Sequence, residues 1–181
     1  MPGKILSFRG KDGLAVRTWG TDCAQRMHRP VEAISALDGW MGHALGIWRN
    51  ARQSSNLPSV ESLGGQDISG IAGGKAHLLD ASAGEPEGYW FRHWGRNNSY
   101  PAGHDNLSLG RMPCGLMREA AIEDYGRVVT AAAPCYSLIS IVEGSRAYSY
   151  GRVILPLAAR GRRADHILVL INERELTPEP S

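Results

Sequence analysis

The chain contains little cysteine, with three such residues among 181, and they are widely spaced. Cys23, Cys114 and Cys135 match neither a disulfide framework nor a metal-binding spacing. Long apolar runs are also lacking, because the longest, Val153 to Ala159, is far below the roughly 20 residues of a membrane-spanning helix. The first residues contain no apolar run typical of a signal peptide. We therefore expect a cytoplasmic protein that holds no metal ion.

Net charge of one sign is low as well. The formal net charge of +2 is too small to indicate binding to nucleic acid or to an anionic membrane. Arg160, Arg162 and Arg163 form the only tight basic group, which we interpret as a solvated hairpin turn, with a phosphate or partner site as the alternative. The sequence thus predicts neither nucleic acid nor membrane as a partner.

Motifs of the common enzyme classes are absent from the sequence. It contains no Gly-x-Ser-x-Gly, no phosphate-binding loop, no His-Glu-x-x-His and no pair of carboxylates at useful helical spacing. His104 and Asp105 are the only close acid–base pair, and no nucleophile with a known context accompanies them. We therefore predict a protein that is not an enzyme and has no catalytic residues.

The C-terminal third contains three β-rich runs separated by short turn-forming links. They cover residues 135–142, 146–157 and 165–171 and indicate an antiparallel meander. The middle run alternates with a period of two residues, so its side chains form two chemically different faces. One face is aliphatic and consists of Val153, Leu155 and Leu157. The other face is aromatic and basic and consists of Tyr148, Tyr150 and Arg152.

Two helices precede this meander. Ser35 to Asp38 resembles a capping box, and it is followed by an apolar stripe that predicts a helix from Leu37 to Trp48. A second stripe, which includes Met117, Ala121, Tyr125 and Val128, predicts a helix over residues 116–132.

Two hairpins complete the predicted elements. One joins strands at residues 76–81 and 89–95, and another is possible over residues 4–19, around an Asp-Gly turn. The fold class is therefore α+β, with a five-stranded antiparallel sheet, helices on one face and an N-terminal helical extension. The predicted organisation is an N-terminal extension over residues 1–34, one domain over 35–173 and a flexible tail over 174–181.

The order of these elements is that of a PAS domain, and several segments resemble the compact single-domain PAS proteins common in alphaproteobacteria. The resemblance extends over roughly residues 37 to 172 and leaves residues 1–34 without a counterpart. Its segments are Trp48, Leu57-Pro58, the strand Tyr89-Trp90-Phe91-Arg92-His93-Trp94-Gly95, the link Tyr125-Gly126-Arg127-Val128-Val129 with Pro134-Cys135-Tyr136, and the hairpin Tyr150 to Leu157 with Gly161 and Asp165 to Val169.

The resemblance implies a sensory or interaction domain that acts through a signalling protein partner, but it implies no particular ligand. PAS domains that hold haem commonly use a histidine of the long helix, and here the helix over residues 116–132 contains none. Neither Cys114 nor Cys135 lies in the Asn-Cys-Arg-like helix of flavin-binding light sensors. Haem and flavin are therefore not expected as cofactors.

A small ligand is expected in the cavity between sheet and helices. Alternation places Tyr89, Phe91 and His93 on one face, although His93 is also interpretable as a hydrogen-bonded core histidine. The Tyr125 hydroxyl is predicted to orient a polar group of the ligand. The predicted ligand-binding residues are Tyr89, Phe91, His93, Tyr125, Val153 and Leu155. The alternative is a protein-interaction module whose cavity is filled by side chains.

The outer face of the sheet is predicted to form a homodimer interface. Alternation gathers aromatic and arginine side chains there, a composition that is enriched at interface hot spots. The helix Leu37 to Trp48 is expected to cover this face, either within the chain or from a second copy. The predicted interface residues are Trp40, Trp48, Trp90, Arg92, Trp94, Tyr148, Tyr150 and Arg152.

Overall fold

The protein has an α+β fold, as predicted, built on one antiparallel sheet. The computed structural model describes residues 6–9, 14–19, 22–34, 39–52, 57–64, 74–95, 106–113, 115–143, 146–159 and 161–174. The strands are β1 (Leu6–Arg9), β2 (Leu14–Trp19), β3 (Asp22–Arg29), β4 (Ala76–Asp80), β5 (Trp90–His93), β6 (Cys135–Glu143), β7 (Arg146–Leu157) and β8 (His166–Arg174). The helices are α1 (Gly39–Ala51), α2 (Val60–Gly64) and α3 (Gly115–Ala131), and short 3-10 turns cover Val31–Ala33, Pro86–Gly88 and Leu109–Arg111.

Within these residues the sheet has eight strands in the order β1-β2-β3-β6-β7-β8-β4-β5. The β4–β5 hairpin and the β6–β7–β8 meander belong to one antiparallel sheet, as predicted, and the structure joins them through β4 and β8. The predicted number of five strands is wrong, because β1, β2 and β3 extend the same sheet beyond β6.

The N-terminal strands are continuous with the rest of the fold. β1 and β2 form the hairpin that the Asp-Gly turn predicts. β3 was not predicted, because its residues lack a period of two. It pairs with β6 from Cys23 opposite Val142 to Arg29 opposite Tyr136. The prediction of an N-terminal helical extension is therefore wrong, since the described part of residues 1–34 supplies three strands of the sheet.

Both faces of the sheet are covered by helices, whereas the sequence predicted helices on one face only. α3 packs over one face, where it contacts a core that includes Leu79, Phe91 and Ile154. α1 and α2 pack over the other face, against Val153 and Leu155. Since β7 lies near the centre of a doubly covered sheet, residues 151–158 are all buried. Alternation identified the two faces of β7 but not the helix that covers each one.

A bulge in the β4–β5 hairpin changes which residues share a face. The register shifts between Leu78, opposite His93, and Leu79, opposite Phe91. Leu79 and Phe91 belong to the core under α3, whereas Leu78 packs with the core under α1 and His93 is exposed. The prediction that Phe91 and His93 share one face is therefore wrong, because the bulge interrupts the period of two.

The two long helices begin and end close to their predicted residues. α1 buries Met41, Ala44, Leu45 and Trp48, four members of its predicted stripe. α3 ends at Ala131 because Ala132 adopts a positive φ of 50° and Pro134 follows. The predicted capping box at residues 35–38 and the tail from residue 175 lie outside the described residues. Among the described residues, no helix has the length and apolar character that crossing a membrane requires.

Candidate functional site

A carboxylate is fully buried between α3 and the sheet. Asp124 lies on α3, and both of its oxygens are paired with arginine. Arg152 of β7 donates from Nη2 to Asp124 Oδ2, and Arg26 of β3 places Nη1 3.1 Å from Oδ1. Arg26 also donates to the carbonyl of Ala120 and pairs with Glu123, both at 3.1 Å. We call Arg26, His28, Glu123, Asp124, Arg127 and Arg152 the Asp124 cluster.

The charge of the buried arginine is compensated by its neighbours. Burial has the largest effect and opposes the charge of Arg152, but the Asp124 carboxylate and smaller contributions from nearby acidic groups together raise the pKa of Arg152 above its ordinary value. The guanidinium carbon also lies 5.3 Å from the centre of the Tyr125 ring. Burial raises the pKa of the Tyr125 hydroxyl, so this phenol is neutral. Arg152 therefore belongs to the interior of the chain and not to an outer surface.

His28 connects the cluster to the start of β6. Its Nε2 lies 3.4 Å from Asp124 Oδ1, and its Nδ1 lies 3.0 Å from both Ser137 Oγ and Arg127 Nη2. A guanidinium cannot accept a hydrogen bond, so Nδ1 must be the acceptor and Nε2 carries the proton. Burial, followed by the nearby arginines, lowers the pKa of His28 to about 4, although Asp124 acts in the opposite direction. His28 is therefore a neutral imidazole at neutral pH.

Cys135 lies at the edge of the cluster, where β6 begins. Its Sγ is 2.9 Å from Arg127 Nη2, 3.7 Å from His28 Nδ1 and 3.6 Å from Ser137 Oγ. The cysteine is half-buried, and Arg127 is exposed on α3. Cys135 therefore has polar and charged neighbours on this side.

A groove of about 870 Å³ adjoins the cluster on the outer side of α3. Its wall on α3 continues into the cluster, because Glu123 and Arg127 belong to both. Gly126 allows the close approach of α3 to the facing loop, since a Cβ there would lie 2.7 Å from Pro86 Cγ. The lining residues are Ala81, Ser82, Gly84, Glu85, Pro86, Tyr89, Ile122, Glu123, Gly126, Arg127, Val129, Thr130, Arg163, Ala164 and Asp165.

Hydrogen bonds hold both loops that face α3 across the groove. Asp80 accepts from the backbone and hydroxyl of Ser82 and pairs with Arg92. Burial opposes its charge, but these hydrogen bonds lower the pKa of Asp80 to about 2. Asp165 accepts from the backbone N–H of Ala159, at 2.9 Å from Oδ1, and lies 2.7 Å from His166 Nδ1. The groove is thus a preformed feature with anchored rims.

The six predicted ligand-binding residues do not form one site. Tyr89 lines the groove, whereas Phe91 and Tyr125 are buried in the core beneath α3. Val153 and Leu155 lie on the opposite face of the sheet, against α1, and His93 is exposed. The predicted set combined residues of both faces of the sheet. The aliphatic side of β7 was expected to face the same helix as Tyr125, which is α3, but it lies against α1.

The eight predicted interface residues do not form one surface either. Four of them are buried within the chain, namely Trp48, Trp94, Tyr150 and Arg152. Trp94 packs beside Phe91 and His77, with ring centres 4.7 and 4.2 Å away. Trp90 and Arg92 are exposed, Trp40 is half-buried beside the core under α1, and the side chain of Tyr148 lies outside the described part. Homodimerisation stays a prediction, but the eight residues do not form the outer sheet surface from which it was inferred.

Sequence reasoning missed the Asp124 cluster because its members come from distant segments. His28 and Arg127 are 99 residues apart, and no local pattern connects them. One signal was present in the sequence. Asp124 occupies an inward position of the α3 stripe, between Ala121 and Val128, where a charged residue requires a buried partner.

Comparison of the chain with protein-family models, curated proteins and solved structures finds no match. Among the described residues, no group of three or more His, Cys, Asp or Glu side chains is arranged to hold a metal ion. The groove and the cluster beside it are therefore the features of the described residues that indicate a function.

Proposed function

We propose that this chain is a PAS-type sensory or regulatory module that binds a small molecule in the groove beside α3 and signals through protein contacts. The observation that carries the proposal is a groove of about 870 Å³ whose wall residues Glu123 and Arg127 also belong to a buried charge cluster. A volume of this size falls within the range of small-molecule sites.

The lining of the groove favours a ligand of mixed polarity. Ile122, Val129 and Pro86 offer apolar surface, while Arg127 and Arg163 offer positive charge. Such a combination suits a small organic molecule that carries an anionic group, because guanidinium donors pair well with carboxylates and phosphates. Glu85 and Asp165 disfavour a ligand with several negative charges.

Arg127 offers a route from the groove to the sheet. Its guanidinium contacts His28 of β3 and Cys135 of β6 while it also lines the groove. A ligand that draws Arg127 outward would remove these contacts and would leave a different hydrogen-bond arrangement on both strands. A signalling partner that contacts β3 or β6 would then bind differently in the presence of the ligand.

The PAS assignment is supported by the order of the elements. α1, the β4–β5 hairpin, α3 and the β6–β7–β8 meander follow one another as in the resemblance, and both hairpins belong to one sheet. The strands β1 to β3 are additional to that order, which agrees with the lack of a counterpart for residues 1–34.

Filling the groove tests the proposal. Protein purified from its host is denatured, and the compounds released are identified by mass spectrometry and then added back in a thermal-shift assay. Thr130 lines the groove and is exposed on α3, so Thr130→Trp fills the groove without disturbing the core. We expect the wild type to release a small organic anion and Thr130→Trp to bind it at least about tenfold more weakly.

The matched control is Ala131→Trp, which adds the same side chain at the next exposed position of α3, outside the groove lining. This variant is expected to bind as the wild type does. A wild type that releases nothing and shows no thermal shift with a library of small anions contradicts the proposal and favours the ligand-free interaction module. Equal binding by both tryptophan variants places the ligand elsewhere.

A further inference from the structure

Three of the five charged side chains that line the groove beside α3 already have partners in the chain. Glu123 pairs with Arg26 at 3.1 Å, and Arg127 pairs with Asp124 at 3.5 Å. Asp165 accepts from one backbone N–H at both carboxylate oxygens, over 2.9 and 3.1 Å. The charges of these three side chains are therefore compensated, in whole or in part, before a ligand binds.

Glu85 and Arg163 are the other two charged side chains of the lining, and they carry opposite charges. Glu85 precedes the short turn Pro86–Gly88, but its side chain does not cap that turn. Within the described residues, no hydrogen bond or ion pair engages the side chain of Glu85 or of Arg163, and both residues are exposed. The lining thus presents one carboxylate and one guanidinium that do not pair with each other.

The two charges lie on separate loops that a hydrogen bond joins. Glu85 belongs to the loop between β4 and β5, and Arg163 belongs to the loop between β7 and β8. The N–H of Ala81 donates to the carbonyl of Asp165 at 2.7 Å, so the loops are tied together near the sheet. A ligand that bridges Glu85 and Arg163 therefore does not have to bring two independent segments together, which lowers the entropic cost of binding.

The phenol of Tyr89 is a neighbour of the Glu85 carboxylate. Burial, followed by the negative charges of Glu85 and Glu87, raises the pKa of the Tyr89 hydroxyl, so this phenol is neutral. Glu85 and Tyr89 line the groove, whereas Glu87 does not. A carboxylate and an aromatic ring are both groups to which an ammonium ion binds in proteins.

We propose that the ligand of the groove is a small zwitterion, whose ammonium group binds to Glu85 and whose carboxylate binds to Arg163. The proposal rests on the proposed function and specifies its ligand, since the anionic group expected there is accompanied by a positive one. Pro86, Ile122 and Val129 supply apolar surface for the hydrocarbon part of the molecule. Aliphatic amino acids, with the two charges close together or far apart, belong to this class.

A ligand with a single charge is a poorer match to the same groove. A carboxylate that binds to Arg163 alone shares the groove with the negative charges of Glu85 and Asp165, and an amine alone meets the positive charges of Arg127 and Arg163. Charges that meet groups of the same sign are a means by which proteins reject a partner. A zwitterion instead gains a charge-assisted hydrogen bond at each end, so both of its charges contribute to affinity.

A series of small molecules that differ in charge tests the ligand class. Leucine carries its two charges close together, and ε-aminocaproate carries them far apart. Isothermal titration calorimetry with the full-length protein compares each zwitterion with its analogue that lacks the amine, isocaproate or caproate, and with its analogue that lacks the carboxylate, isoamylamine or amylamine. We expect at least one zwitterion to bind at least about tenfold more tightly than both of its analogues.

Neutralising substitutions assign each charge of the ligand to its residue. Glu85→Gln is expected to weaken binding of the zwitterion at least about tenfold and not to weaken binding of the carboxylate-only analogue. Arg163→Gln is expected to weaken binding of the zwitterion and of the carboxylate-only analogue alike. Glu87→Gln and Arg162→Gln are the matched controls, because both residues are exposed neighbours outside the groove lining, and they are expected to bind as the wild type does.

Several results overturn the zwitterion class. One is a wild type that binds neither zwitterion, and another is a single-charge analogue that binds within about tenfold of its zwitterion. Equal losses for the zwitterion and the carboxylate-only analogue in Glu85→Gln, or a loss in Glu87→Gln as large as that in Glu85→Gln, overturn the assignment to Glu85. The comparison of ligands on the wild type requires no variant to fold.

The same measurements separate this proposal from the proposed function. If a carboxylate-only analogue binds as tightly as its zwitterion and Thr130→Trp abolishes both, the groove is a small-molecule site and only the zwitterion class is wrong. If no compound of the series binds and the denatured protein releases none, both proposals are wrong.

Discussion

Asp124 is the residue on which the interior of this protein most depends electrostatically. It occupies a position of α3 that an aliphatic side chain would otherwise fill, and it forms ion pairs with Arg26, Arg127 and Arg152. Removing one partner of a buried ion pair is costly, because the other charge stays behind without compensation. The cluster therefore requires three separate segments, β3, α3 and β7, to be in place together.

At the residue scale, the neutrality of His28 makes stability depend on pH. Its pKa is lowered from 6.5 to about 4 in the folded chain, so the unfolded chain binds more protons between these values. Stability is thus lost as the pH falls through this window and is retained above it. We expect the free energy of unfolding to drop by about 2 kcal/mol between pH 7 and pH 5 on account of His28.

Urea unfolding of the wild type and of His28→Asn at both pH values measures this effect. The variant is expected to lack the His28 share of the pH dependence, whatever the other histidines contribute. His43→Asn is the control, since it makes the same substitution at an exposed histidine of α1 outside the Asp124 cluster. Identical pH dependence in the wild type and His28→Asn would show that His28 is protonated normally in the folded chain.

At the element scale, α1 is attached to the sheet by a buried tryptophan as well as by its aliphatic side chains. Trp48 is almost fully buried, and its Nε1 donates to the Pro156 carbonyl at 2.8 Å. Pro156 is tolerated in a central strand because the β6–β7 pairing ends at Cys135 opposite Ile154. Beyond that pair, the absent N–H of proline costs no bond to β6.

Trp48→Phe tests this attachment. The variant leaves the Pro156 carbonyl without its donor and removes part of a buried ring, so we expect it to lower the free energy of unfolding by about 2 kcal/mol. Trp40→Phe makes the same change at a half-buried position of α1 and is expected to cost less than about 1 kcal/mol. Urea unfolding followed by circular dichroism compares them. A loss in Trp48→Phe no larger than that in Trp40→Phe would contradict the role of the indole N–H.

At the scale of the whole molecule, the N-terminal strands are part of the domain. β3 covers the edge of β6, and Arg26 of β3 contributes to the Asp124 cluster. A chain that begins at residue 35 therefore has an open strand edge and a buried carboxylate with one partner fewer. Both consequences lower stability, and the open strand edge also promotes association.

We expect removal of residues 1–34 to cost at least about 3 kcal/mol, which corresponds to roughly 10 °C in Tm for a chain of this size. Removal of residues 1–13 is the control, because it deletes β1 and keeps both β3 and Arg26. Differential scanning fluorimetry gives the Tm values, and light scattering reports association. If the longer deletion melts within about 3 °C of the full chain, the boundary at residue 35 is a true domain boundary.

The amino-acid sequence by itself determined the long helices, the succession of β4 to β8 along the chain and the pairing within each hairpin. These features depend on local periodicity and turn chemistry, and the stripe of α1 and the meander from β6 to β8 contain clear signals of both kinds. β3 escaped prediction because its stability comes from pairing with β6, more than 100 residues away along the chain, and from the Arg26 ion pairs.

Only the tertiary structure decided which helix covers which face. β7 has two apolar faces once Arg152 is paired with Asp124, so alternation alone cannot assign Val153 or Tyr150 to α1 or α3. Alternation also failed at His93, because the bulge in β5 inserts one residue into the strand. An inserted residue moves every side chain beyond it to the opposite face of the sheet. The groove and the surroundings of Cys135 arise where distant segments meet, and such contacts follow from packing and the pairing of buried charge, not from local pattern.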